Sequence, residues 1–285
     1  MPKRTSTPIP ANSSSDNKYC IAVISRSAFQ HATKSPNAAV YPLAALPEST
    51  KTTNPLTLIP KHYHDFLPIF TKKEVDKLPP HRYVNHAIPL IDEKKPPLGR
   101  MYSISDAELL EVRKWIEENL WKGFIRHSSS SCAAPILFVK NNDPTFRLCV
   151  DYGALNDLTL KDRYPLYRIE ETLNQIHGTK YLTRLDLHSA YNLIRIEEGD
   201  ERKTAFQTRS GLYEFLVMPF GLTNTSATYQ RYVNDTLREF LDHFCVCYLD
   251  DILIYSDSLE EHQCQVRMVL QKLYDAGLYV KLEKC

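Results

Sequence analysis

Between Phe244 and Ser258 the chain reads Phe-Cys-Val-Cys-Tyr-Leu-Asp-Asp-Ile-Leu-Ile-Tyr-Ser-Asp-Ser, so that two apolar, β-prone arms meet at adjacent carboxylates, Asp250 and Asp251. This pattern predicts a buried hairpin with acid at its tip. Between polar flanks an Asp-Asp pair would mark a solvated turn. Between apolar arms the two carboxylates repel each other and lose hydration, a cost that a cation between them offsets. Oxygen-only ligands suit a hard ion, Mg2+ or Mn2+, better than zinc. A third carboxylate, Asp186, closes the short apolar run Tyr181-Leu-Thr-Arg-Leu-Asp186. If that run lies beside the hairpin, Asp186, Asp250 and Asp251 meet at one end of a sheet, as a two-metal phosphoryl-transfer centre requires. Taken singly, Asp186 reads equally as a strand-end turn residue.

The rest of the chain alternates strand and helix signals. Ser105-Asp-Ala-Glu108 is a capping box opening a helix, with Leu109, Val112, Trp115, Ile116 and Leu120 along one side and Gly123 as its stop. Residues 134–140 and 146–152 read as two strands of a hairpin turning through 141–145. A short helix over 169–176 ends near Gly178, and 204–218 forms a second hairpin turning at Gly211. A helix from Ser226 turns Tyr229, Val233, Leu237 and Leu241 inward. After the acidic hairpin, Ser258-Leu-Glu-Glu261 opens a last helix whose buried stripe is Val266, Val269, Leu270 and Leu273, and a strand begins at Leu278.

Composition narrows the partners. With 285 residues, 43% hydrophobic and 24% charged, the chain can bury one large core. A formal charge of +1 means that nucleic-acid contacts must come from local clusters rather than from a global field. The seven cysteines lack zinc-ligand spacing, and Cys245 and Cys247 read as small buried residues of a reducing, intracellular compartment. His62 and His64, next to no acid or cysteine cluster, read as surface residues. No apolar run approaches about 18 residues, so no transmembrane helix and no membrane partner is expected. The first 18 residues are polar and rich in Pro, Ser and Thr, a flexible tail without the apolar core of a secretory signal.

Tyr248-Leu249-Asp250-Asp251, together with Leu185-Asp186-Leu187-His-Ser-Ala-Tyr191 and Val217-Met-Pro-Phe220-Gly221-Leu-Thr-Asn224, resembles the reverse transcriptase of gypsy-type long-terminal-repeat retrotransposons. The resemblance implies an α+β fold of fingers and palm, with an antiparallel palm sheet backed by helices. It divides the chain into a disordered or extended polyprotein linker (1–60), an extended lead-in arm (61–100) and fingers plus palm (101–285). The implied activity is RNA-directed DNA polymerisation, joining deoxynucleotides from dNTPs to a primer 3′-hydroxyl on an RNA or DNA template with two Mg2+ (or Mn2+) ions. Asp186, Asp250, Asp251 and the Leu187 carbonyl would ligate the metals, with Asp186 and Asp250 as bridging ligands. Arg147 would contact the triphosphate, with Lys140 nearby. Tyr191 would gate against a 2′-hydroxyl, Phe220 would line the nucleotide pocket, and Gly221 would let backbone approach the substrate.

Departures from the family pattern bear on activity. Asn141 stands where a second lysine is usual, Gly153 where an arginine is usual, Pro144 replaces a turn glycine, and Thr225-Ser226 replaces Ala-Pro. Family members continue past the Lys-Cys at 284–285 into a primer grip, thumb and further pol polyprotein segments, so the expectation is a thumbless fingers and palm. The alternative expectation is a non-catalytic retroelement remnant that at most binds nucleic acid. An RNA-dependent RNA polymerase would share the palm, but Tyr191 and the Pro219–Leu222 segment oppose it.

Overall fold

Alternating apolar patterns become eight strands in two sheets among the described residues, which in this computed structural model are 59–91, 94–140, 146–165, 168–282 and 285. Residues 1–58 of the expected linker (1–60), Cys20 among them, and the turn 141–145 lie outside them. The first sheet runs β1 (Ile125–His127), β6 (Gly211–Phe215), β5 (Phe206–Thr208), β2 (Ala134–Lys140), β3 (Phe146–Val150). β2 and β3 pair antiparallel from Ile136↔Val150 to Lys140↔Phe146, and β2 lies parallel to β5 through Ala134↔Phe206.

Helix α1 (Asp106–Lys122) covers this sheet. Ser105 Oγ accepts the Glu108 amide while the Glu108 carboxylate accepts the Ser105 amide, and Gly123 (φ 73°) ends the helix in the left-handed region that favours glycine. Val112 and Ile116 pack on Phe206, Tyr213 and Phe215, with Trp115 edge-on to Phe206 at 5.9 Å and Phe215 at 6.0 Å. Helix α2 (Gly153–Leu158) and helix α3 (Ile169–Ile176) then connect to the second sheet.

The second sheet is antiparallel, in the order β4 (Tyr181–Asp186), β8 (Asp251–Ser256), β7 (Cys245–Tyr248). The acidic hairpin therefore supplies the central strand, and β4 pairs with it in register from Tyr181↔Ser256 to Asp186↔Asp251. Helix α4 (Thr225–Leu237) and helix α5 (Leu259–Asp275) enclose its apolar face, burying Tyr229, Val233 and Leu237 from one and Val266, Val269, Leu270 and Leu273 from the other. Burial pushes the Cys245 thiol up to about 12 and the Cys247 thiol well above its usual range, so both stay protonated as small core residues.

Several details depart from the pattern reading. Residues 61–70 form a 3-10 helix and 72–75 a helical turn where an extended arm was expected. Leu241 lies beyond the end of α4, although it still packs against the core. The second hairpin turns through Arg209-Ser210, and Gly211 opens β6. Leu278 begins no strand among the described residues. Its segment makes the single bridge Leu187↔Val280, flanked by the His188 amide donating to Tyr279 O at 2.7 Å and the Lys281 amide donating to Asp186 O at 2.8 Å. No helix among the described residues is long and apolar enough to cross a membrane.

Candidate active site

The register of β4 against β8 makes Asp186 and Asp251 direct cross-strand partners, with side chains on one face of the sheet. Asp250 occupies the two-residue turn, preceded by Leu249 at φ 52°. A non-glycine residue at positive φ costs about 1–3 kcal/mol, so the surroundings must hold the turn in place. They do so through Gln230 of α4, which is 1% exposed. Its Oε1 accepts the Leu249 amide at 3.0 Å, while its Nε2 donates to Cys247 O at 3.2 Å and Asn234 Oδ1 at 2.9 Å. From the other side, the Leu187 amide donates to Asp250 O at 3.0 Å. The carboxylate-bearing backbone is thus tied to a helix and to the neighbouring strand.

Arg184, two residues before Asp186 and on the same face, supplies positive charge. Its Nε donates to Asp251 Oδ1 at 2.9 Å; its Nη2 lies 2.8 Å from the same oxygen and 3.9 Å from Asp186 Oδ2. One cationic nitrogen is therefore within ion-pair distance of both carboxylates. Two acidic oxygens already straddle a single positive charge, and oxygen donors suit Mg2+ or Mn2+. Among the described residues no three His, Cys, Asp or Glu side chains close around one point. The structure pairs Asp186 with Asp251 across the sheet and leaves Asp250 in the adjoining turn.

Beside the carboxylates lies an aromatic cluster. Tyr191, half-buried, meets Phe220 edge-on at 4.8 Å and Tyr229 at 5.2 Å. Burial raises the Tyr191 hydroxyl pKa, opposed by a hydrogen bond with Ser226 and assisted by the Asp250 charge. Tyr229 is fully buried, and its hydroxyl, held well above the usual phenol range by burial and then by the charges around it, has no hydrogen-bond partner among the described residues.

Phe220 is 67% exposed and, with Gly221, Pro219, Val150 and Trp115, lines a cavity of about 310 Å³. Gly221 sits at φ 95°, and a Cβ there would lie 3.5 Å from Val150 O. Asn156 of α2 fastens this loop, its Nδ2 donating to Gly221 O at 2.7 Å and its Oδ1 accepting the Thr223 amide at 2.8 Å. Asn224 continues the clamp, accepting the Asp162 amide at 3.0 Å and donating to Leu160 O at 2.8 Å. Arg147 and Lys140 are placed as backbone opposite Val139 and Phe146; the roles expected of their side chains lie outside the described residues. No role for Gln230 or Asn156 was read from the sequence, and Asn224 stood only at the end of the Val217–Asn224 motif. Each acts through a contact distant along the chain, and the signal available was only a polar residue amid apolar helical or turn positions.

An acidic hairpin at the centre of a helix-backed antiparallel sheet, joined to a second sheet by a glycine-bearing aromatic loop, defines a polymerase-type fingers and palm. The chain belongs to the reverse transcriptase family: the family model described as Reverse transcriptase (RNA-dependent DNA polymerase) matches residues 139–285. The Transposon Tf2-3 polyprotein of Schizosaccharomyces pombe is 38% identical over 228 residues, 80% of this chain and 17% of the polyprotein. The chain thus spans only a small part, 17%, of the length of the curated relatives it matches. Among solved structures, a prototype foamy virus protease-reverse transcriptase mutant is 27% identical with a TM-score of 0.64, over 72% of this chain and 27% of that one. A foamy viral protease-reverse transcriptase in complex with double-stranded DNA is 25% identical with a TM-score of 0.60, over 72% of this chain and 36% of the other.

Proposed function

We propose that this chain carries out RNA-directed DNA polymerisation, transferring a nucleotidyl group from a dNTP to a primer 3′-hydroxyl on an RNA or DNA template. The observation that carries the reading is the register that sets Asp186 opposite Asp251 with Asp250 in the turn between β7 and β8, a cation already lodged against the first two. Asp186, Asp250, Asp251 and the Leu187 carbonyl would hold two Mg2+ (or Mn2+) ions. When bound, the ions supply Lewis acidity for the primer hydroxyl and neutralise the pyrophosphate leaving group. The protein's own part is positioning. Gln230 fixes the turn that carries Asp250, Tyr191 stands beside the carboxylates as a steric gate for the sugar, and Phe220 with Gly221 forms the exposed wall on which a nucleotide lies. Arg147 and Lys140, at the end of the β2–β3 hairpin, would meet the triphosphate. Neighbouring pol polyprotein segments are the further partners of such a domain.

A second reading, a nucleic-acid-binding remnant without turnover, draws on Gly153, where an exposed glycine stands in place of a family arginine. One experiment separates the two. Deoxynucleotide incorporation by the purified chain on a primed homopolymeric RNA template is measured with Mg2+ or Mn2+, beside an Asp250→Asn, Asp251→Asn control. Incorporation that vanishes in the control is the expected outcome. A folded chain that retains the primer-template but incorporates nothing would favour the remnant, and unchanged turnover in Asp250→Asn would remove that carboxylate from the site.

A further inference from the structure

We infer that Arg184 is the built-in counter-ion of the carboxylate site: a positioning residue that holds Asp251 and Asp186 in the ion-free protein, yields to a divalent cation, and so sets how tightly the site binds one. The inference rests on reading these carboxylates as metal ligands.

Asp186 and Asp251 face each other directly across β4 and β8, and like charges at such paired positions are destabilising. The strand period of two brings Arg184 to the same face as Asp186, and the guanidinium lies against both acids, by Nε and Nη2 on Asp251 Oδ1 and by Nη2 towards Asp186 Oδ2. Guanidinium does not deprotonate in proteins, so this charge is permanent. Two of its donors converge on one oxygen of Asp251. A divalent ion seated between Asp186 and Asp251 would repel the guanidinium and compete for that oxygen. Arg184 must then swing away, and its side chain, 28% exposed, has a path to solvent. The work of that displacement is subtracted from metal binding, while the contact itself steadies the pair when no ion is bound.

The test uses Mn2+ as probe and the whole chain without nucleic acid. Bound Mn2+ is read from loss of the free-ion electron paramagnetic resonance signal in wild type, Arg184→Gln, Arg184→Lys and Arg184→Gln with Asp251→Asn, and thermal unfolding is followed with and without the ion. Arg184→Gln is expected to bind Mn2+ about tenfold more tightly than wild type. It should unfold at a lower temperature in chelator and gain more from added Mn2+. Arg184→Lys, which keeps the charge but loses the fork, should fall between the two, and it carries the same test should Arg184→Gln fail to fold. In the double variant the tightening should shrink. Equal or weaker Mn2+ binding in the folded Arg184 variants would overturn the inference and leave the metal-site reading standing. Absence of Mn2+ binding from wild type and variants alike would remove the metal site itself, and the inference with it.

Discussion

Gln230 Oε1 accepts the Leu249 amide at 3.0 Å, so a buried side chain of α4 holds the strained turn from which Asp250 projects. Replacing Gln230 by Ala leaves the Leu249 amide and the Cys247 carbonyl without this partner. A buried group so exposed costs about 1–3 kcal/mol, and the turn gains freedom to relax. Gln230→Ala should therefore lower stability in urea unfolding by about that amount and reduce incorporation by about tenfold or more, since misplacing a reacting group by an ångström costs more than that. Gln230→Glu keeps the acceptor for Leu249 but turns an acceptor oxygen towards Cys247 O and Asn234 Oδ1, so it should not rescue the loss.

Tyr191 touches both Phe220 and Tyr229, which places its ring between an exposed aromatic and the sheet core. Tyr191→Val removes the ring proposed as the gate against a 2′-hydroxyl. Competing ribo- and deoxynucleotides in one primer-extension assay should then show a marked rise in ribonucleotide use. An unchanged ratio would reduce Tyr191 to packing.

Gly221 sits at φ 95°, while a Cβ there would meet Val150 O at an ordinary contact distance of 3.5 Å, so the strain of a side chain lies in the backbone. Gly221→Ala should cost about 1–2 kcal/mol from the left-handed backbone alone. Because Gly221 O and the Thr223 amide are both held by Asn156, the loop cannot simply turn to relieve it. The expected signature is a raised KM for the deoxynucleotide alongside a modest fall in melting temperature.

His86 is buried, with its Nδ1 sharing a hydrogen bond with Thr228 Oγ1 at 2.9 Å and its amide donating to Arg195 O at 2.8 Å. Burial lowers its pKa from 6.5 to about 4, against the opposing pull of Asp200 and Asp162. The unfolded chain therefore binds a proton between pH 6.5 and 4 that the folded chain refuses. Stability present in full above pH 6.5 should be lost as the pH falls to about 4, by about 3 kcal/mol from this group. In His86→Gln the stability-pH curve should be flatter over that window, as read by urea unfolding at a series of pH values.

Much of this was legible in residue order. Ser105-Asp-Ala-Glu108 and Gly123 bound α1 because capping chemistry is local, and the apolar arms around Asp250-Asp251 form their hairpin because alternation and a two-residue turn are local as well. The Ser258 start was read correctly, yet only half of its box forms. Ser258 Oγ accepts the Glu261 amide, while the Glu261 carboxylate turns instead to Gln265 Nε2. The 3-10 helix over 61–70 was missed because its order comes from docking Phe66 and Ile69 into the main core, a contact that periodicity does not carry.

The sequence by itself determined the local pieces: an acidic turn between two apolar strands, a carboxylate closing a third, an aromatic residue five positions after it, and a glycine loop, each set by short-range pattern. Tertiary structure alone decided how they face one another. Pairing register put Asp186 opposite Asp251 and brought Arg184 onto both, while Gln230 and Asn156 became clamps only when helices docked on loops remote along the chain. The physical reason is that register and docking follow from burying a shared apolar face. Their polar consequences depend on which strands and helices lie side by side, which no single stretch of residues encodes.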